Sequence, residues 1–324
     1  MTSDLRARVQ AALAGSFTLQ RDLGGAMSRV FVAHERALDR DVVVKVLPPE
    51  LAADVNMERF KREVQLAARL QHPNIVPLLT AGEVDGLAYF TMPVVAGESL
   101  RVRIDRDGAL PLADAIRILR GVADALVFAH EAGIVHRDIK PENILLIRQH
   151  AQVTDFGVAK ALSSSAAWDT ALTARHIAVG TPAYMAPEQA AASPATDHRA
   201  DLYAFGVVAY ECLVGRPPFS GDTPHDLMMA HLSDVPQPVG RLRDGVPPAL
   251  AALIMRCLAK RPEDRPASAH VLLQALDLFA TPSLGTPAVS EPDTRKRMLA
   301  ILVVLIVGAV LLASAAAMIA STKP

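Results

Sequence analysis

Only two cysteines, Cys212 and Cys257, occur in the 324 residues, which excludes a disulfide-stapled scaffold and a cysteine-rich zinc module. Neither sign of charge prevails: 33 basic side chains stand against 34 acidic ones, a formal net charge of -1. General nucleic-acid binders carry a large positive excess, so that class is excluded and no nucleic-acid partner is expected. No repeat recurs at periods of about 20 to 50 residues, which argues against solenoids and propellers. The opening stretch carries Asp4, Arg6, Arg8 and Gln10 and lacks the apolar segment of a secretory signal. Leu5, Val9, Ala12 and Leu13 suit a short amphipathic helix instead, within an N-terminal segment at 1–16.

Apolar residues make up 51% of the chain and charged ones 21%, enough to exclude a mainly disordered protein. The length fits one large domain or two ordinary ones. One apolar run stands apart. Met298 to Ala320 is 23 residues without a charge, and as a helix it reaches about 35 Å, enough to cross roughly 30 Å of hydrocarbon. Arg295, Lys296 and Arg297 precede it and only residues 321–324 follow, as a short tail. Basic residues favour the cytoplasmic side, which predicts a single-pass span in the cytoplasmic membrane with the body facing the cytoplasm. Pro282, Pro287 and Pro292 mark 281–297 as a linker.

Within the body, Phe17–Leu19, Arg29–Ala33 and Val42–Leu47 read as strands of an antiparallel sheet. Asp54–Gln71 reads as a helix with Phe60, Val64, Ala67 and Leu70 on one face. Past residue 110 helices dominate: Leu112–Ala132, Asp201–Val214, Pro248–Leu258 and Ser268–Phe279. This pattern predicts an α+β body of two lobes, 17–95 and 96–280, with a cleft between them.

The motifs fall along that cleft. Leu23, Gly24 and Gly25 open a turn that ends at Val30, where missing Cβ atoms let backbone amides approach a polyphosphate. Lys45 closes the run Val42-Val43-Val44, a costly place for an ammonium unless it reaches water or an anion. Glu63, on the inward flank of the following helix, can pair with it. The stretch His136-Arg-Asp-Ile-Lys-Pro-Glu-Asn143 is more specific. Its Asp138 can orient a hydroxyl and accept the proton, Lys140 can neutralise a phosphoryl group, and the Asn143 amide oxygen can hold a metal ion. Asp155-Phe156-Gly157 follows a short strand, Ala151–Thr154, and an acid at a strand end suits a hard cation.

Taken in order, the glycine turn, Lys45, Glu63, His136-Arg137-Asp138, Asn143, Asp155-Phe156-Gly157 and Ala186-Pro187-Glu188 resemble the signature set of protein kinases. The branch resembled is the bacterial, eukaryotic-like serine/threonine type; Asp201 and Arg265 match two further landmarks, and the likeness covers about residues 17–275. It implies a bilobal kinase fold: a small antiparallel-sheet N-lobe with one main helix and a larger helical C-lobe, here with the C-terminal transmembrane helix appended. It implies ATP and Mg²⁺ as cofactors, with Mn²⁺ as an alternative ion, and protein substrates bearing Ser or Thr acceptors.

On this resemblance Leu23, Gly24, Gly25, Val30, Val43, Lys45, Glu63 and Met92 line the nucleotide site. Lys45 would hold the α- and β-phosphates, with Glu63 as its ion-pair partner. Asp138 would be the base, assisted by Lys140 and Asn143, while Asn143 and Asp155 would hold the metal. Tyr89–Pro93 would be the hinge, with Met92 behind the adenine. Arg137 would receive a phosphate from the segment 155–188, placed on Thr173 first and Thr170 second, and added in trans by a homodimer partner. Glu188 and Arg265 would form a buried structural pair, and Lys140 and Thr181 resemble the serine/threonine branch.

Two departures stand out: the glycine turn is one residue short and lacks a further glycine after Gly25, and Pro93 occupies a hinge position where an acid is common. The short turn keeps a pseudokinase, or a nucleotide-binding membrane-anchored scaffold, as the alternative.

Overall fold

The alternating runs after Phe17 form an antiparallel sheet of β1 (Phe17–Gly24), β2 (Arg29–Glu35), β3 (Arg40–Val46), β4 (Thr80–Val84) and β5 (Leu87–Pro93), ordered β1-β2-β3-β5-β4. The structure is a computed structural model and describes residues 2–24, 29–47, 57–148, 150–156 and 182–280. Residues 281–324 form a separate unit, and the linker, the apolar run 298–320 and the tail lie outside the described residues. Among the described residues no helix is long and apolar enough to cross a membrane.

Period-two geometry divides the valine run of β3 between two faces. Val42, Val44 and Val46 are buried with Phe17, Leu19 and Phe31 on one face. Val43 and Lys45 project to the other, which explains how a lysine sits within an apolar run.

On the first face lies α1 (Thr2–Leu13), whose Leu5, Val9 and Leu13 recur at helical spacing and pack on the sheet. Its Gln10 stands in for a neighbouring strand: Oε1 accepts from Leu19 N at 2.7 Å and Nε2 donates to Phe17 O at 3.3 Å. Arg6 donates to Gln20 O at 3.0 Å. The edge strand β1 is thereby partly closed to other chains, and the amphipathic segment expected at 1–16 belongs to the small lobe. On the second face α2 (Met57–Ala67) buries Phe60 and Val64 against Leu47, Val76, Phe90 and Met92. The predicted start of this helix, Asp54, lies outside the described residues.

The larger lobe contains α3 (Leu100–Asp107), α4 (Leu112–Glu131), α5 (Pro187–Ala190), α6 (Arg199–Val214), α7 (Pro224–Ser233), α8 (Val239–Leu242), α9 (Pro248–Cys257) and α10 (Ala269–Ala280). A small sheet of β6 (Glu98–Ser99), β7 (Ile144–Ile147) and β8 (His150–Val153) lies against α4. Every residue of α6 from Ala200 to Leu213 is buried, the acids Asp201 and Glu211 included, so this largely apolar helix runs through the interior of the lobe. It crosses α9 so closely that a Cβ on Gly206 would stand 2.6 Å from the Cys257 Cβ. Glycine is the residue that fits there.

A buried cluster joins α6 and α7. His231 Nδ1 meets the Tyr203 hydroxyl at 2.9 Å, and Lys260 donates to the carbonyls of Ala230 and His231 at 3.1 and 2.6 Å. Burial, reinforced by the Lys260 charge, holds the His231 imidazole down at about 4. An unfolded chain protonates this residue below about 6.5, so the folded state is at its most stable above that pH and loses stability as the pH falls toward 4. The full difference is on the order of 3 kcal/mol. Urea melts between pH 7 and 4.5 should show the loss, and His231→Gln should flatten it; an unchanged slope in the variant would refute this account.

Candidate active site

The site is organised from below by Asp201, at the first turn of α6 and fully buried. Its carboxylate accepts from the His136 and Arg137 backbone amides at 2.9 and 2.7 Å and from His130 Nε2 at 2.7 Å. A buried acid without such donors would be strongly destabilising. Burial pushes its pKa up, but the His130 hydrogen bond, the electrostatic influence of the His130 and His136 rings and the Arg137 amide together hold it below the ordinary carboxylate value.

Those bonds hold a strained loop. Arg137 adopts φ +68° and Asp155 φ +70°, left-handed conformations that cost a non-glycine residue about 1 kcal/mol or more each. His136 then laces the two strained segments together. Its Nε2 donates to Thr154 O at 2.8 Å and its Nδ1 accepts from Asp138 N at 3.2 Å, which assigns the ring proton to Nε2. The ring edge also packs on Phe156, 4.6 Å between centroids. Thr154 N donates to Asn143 O at 2.9 Å. Asp138, Asn143 and Asp155 are thus tied to one framework.

The Asp138 carboxylate receives Lys140 Nζ at 3.0 and 2.7 Å and Asn143 Nδ2 at 3.0 Å. Asn143 Nδ2 also donates to Asp138 O at 2.8 Å, which assigns the amide orientation and leaves its Oδ1 as the acceptor end. Asp138 keeps 25% of its side-chain surface open, so a substrate can reach it.

Cross-strand register places Val30, Lys45 and Phe90 in one row and Val43 and Met92 in the next. All lie on the second face of the sheet. From there Lys45 Nζ reaches Asp155 Oδ2 at 2.8 Å. Glu63 is half-buried beside Val64 on α2. Met92 is buried, and its sulfur accepts from the Thr154 hydroxyl at 3.3 Å. Leu23 is exposed at the end of β1, and Gly24 turns at φ +78°. Gly25, Gly157, Thr170, Thr173 and Thr181 lie outside the described residues.

The other oxygen of Asp155, Oδ1, is buried with no hydrogen-bond partner. An orphaned carboxylate oxygen is destabilising unless a cation satisfies it. With Asn143 it offers hard oxygen donors that fit a divalent cation whose remaining ligands are phosphate and water. The described residues contain no group of three or more His, Cys, Asp or Glu that could hold a metal ion.

Away from the cleft Glu188 and Arg265 form the expected pair, at 2.6 and 2.7 Å. Arg265 also donates to the carbonyls of Ala259, Arg199 and Lys260 at 2.8, 2.9 and 3.0 Å. Sequence reading noted Asp201 without assigning it a task and overlooked His130. The usable signal was an acid in the first turn of a largely apolar helix.

Two lobes, a lysine facing the cleft, and Asp138, Asn143 and Asp155 tied to one framework are the features of a protein-kinase fold. The profile of the protein kinase domain family matches residues 17–276, and the chain belongs to that family. Serine/threonine-protein kinase PknH of Mycobacterium tuberculosis is 40% identical over 295 residues, covering 90% of this chain and 45% of the relative. Serine/threonine-protein kinase pkn3 of Myxococcus xanthus is 40% identical over 289 residues, covering 85% and 52%. The chain thus spans about half the length of the curated relatives it matches. The crystal structure of a mutant of the Mycobacterium tuberculosis PknI kinase domain superposes with a TM-score of 0.65 at 30% identity, covering 82% of this chain and 96% of that one.

Removing one partner of a buried ion pair costs about 3–5 kcal/mol. Arg265→Leu should therefore lower the thermal midpoint by roughly 10 °C, as calorimetry would show. A shift under about 2 °C would mean that the pair is not structural.

Proposed function

We propose that this chain is a serine/threonine kinase that transfers the γ-phosphoryl group of ATP to hydroxyls of protein substrates, with Mg²⁺ as the working ion. The observation that carries the reading is the tying of Asp138, Asn143 and Asp155 to one framework through His136 and Thr154. Asp138, held by Lys140 and Asn143, is positioned to orient the acceptor hydroxyl and take its proton as that oxygen bonds to the γ-phosphorus. The bond to the β-phosphate oxygen breaks, and ADP leaves. Lys45 would hold the α- and β-phosphates, and Lys140 would balance the charge on the moving group. Bound at Asn143 and Asp155, the ion supplies charge neutralisation across the phosphate oxygens.

Arg137 Nε is buried without a hydrogen-bond partner, which supports a guanidinium that receives a phosphate. We assign that phosphate to Thr173, then Thr170, added between two copies of the chain. The apolar run 298–320 and the basic triplet before it support a tether to the cytoplasmic membrane with the kinase domain on the cytoplasmic side.

The full chain incubated with γ-labelled ATP, Mg²⁺ and a generic protein acceptor should transfer label, and phosphopeptide mapping should find phosphate on Thr173 or Thr170. Asp138→Asn should lower transfer at least a hundredfold, and chelation of the metal should abolish it. Equal label in wild type and variant would overturn the catalytic assignment; ATP binding without transfer would favour the scaffold. For the tether, the full chain should resist carbonate extraction from membranes, while a version ending at Ala280 should remain in the supernatant. Identical partitioning of both forms would overturn it.

A further inference from the structure

Backbone polar groups of the strained loop at Arg137 are held by side chains, and one of those side chains comes from outside the catalytic machinery. The amides of His136 and Arg137 go to Asp201, and that of Asp138 goes to His136 Nδ1. The Arg137 carbonyl is taken by Gln189, whose Nε2 donates to it at 2.9 Å. The opposite end of the same amide, Oε1, accepts from Ala186 N at 3.1 Å. Both ends are used, so the orientation of the Gln189 amide is determined by its partners.

Gln189 is itself firmly mounted. It lies in α5, directly after Glu188, which the bidentate Arg265 pair fixes to the larger lobe. A rigid donor on a rigid mount thus meets the peptide that joins Arg137 to Asp138. Rotation of that peptide plane swings the Asp138 Cα–Cβ bond, and with it the carboxylate.

We propose that Gln189 is a positioning residue: through the Arg137 carbonyl it sets the peptide plane ahead of Asp138 and so aims that carboxylate at the acceptor hydroxyl. This rests on the kinase reading above and adds to it a physical link between the Ala186-Pro187-Glu188 anchor and the base. A displacement of that anchor releases the carbonyl, and Arg137 then has one contact fewer to offset its left-handed strain.

Gln189→Glu separates this role from local stability. The glutamate keeps an oxygen for the Ala186 amide but sets another oxygen against the Arg137 carbonyl. Gln189→Met, similar in length, removes both bonds. In the full chain, both variants should lose about ten- to a hundredfold in kcat with KM for ATP within about twofold, since misaligning a reacting group acts on the chemical step. Gln189→Glu should keep its thermal midpoint within about 2 °C, whereas Gln189→Met should melt lower.

Hydrogen exchange at the 136–138 amides supplies a readout that needs no turnover, and it should quicken in both variants. Normal kcat in Gln189→Glu, or unaltered exchange across 136–138, would overturn the proposal. An inactive wild type whose variants still show quickened exchange would count against the kinase reading while sustaining the link itself.

Discussion

One buried carboxylate holds this molecule's working parts in place. Asp201 lies in the apolar interior of the larger lobe and collects two consecutive backbone amides and an imidazole. Those bonds make a charge tolerable there. They also make the left-handed turn at Arg137 tolerable, because a strained conformation persists only where its surroundings over-determine it. The candidate site residues thus depend on one buried beneath them.

Above this foundation the cleft contains opposite charges at close range. Lys45 already touches Asp155, and Lys140 already touches Asp138. Each acid therefore has a cationic neighbour at hydrogen-bonding distance, which limits the repulsion between them. The exception is the buried Asp155 oxygen without a partner, an acceptor of the kind a hard cation takes.

Sequence reading reached the candidate site residues more fully than the architecture that supports them. Lys45, Asp138, Asn143 and Asp155 could be singled out as candidates because their residue types and order suit one reaction, and the structure brings them together. Glu188 and Arg265 were legible as a pair by the same likeness. The two-lobed division followed from strand-like alternation giving way to helical spacing. What stayed hidden depends on partners distant in sequence. Nothing in the segment 1–16 reveals that Gln10 would act as a surrogate strand for β1. Nothing around Asp201 names His130, because an acid in a helix does not state which donors fold around it. Lys45 shows the same boundary: period two explains its face, but its contact with Asp155 needs the lobes in place.

The crossing of α6 and α9 imposes a different sort of limit. Where Gly206 meets Cys257, even a methyl group has no room. The chain leaving α9 presents the carbonyls of Ala259 and Lys260 that cradle Arg265, and Arg265 grips Glu188. Drift in descendants of this gene is therefore coupled: bulk gained at Gly206 would be inherited as a shifted cradle, and lineages can keep it only alongside compensating changes several residues beyond the crossing.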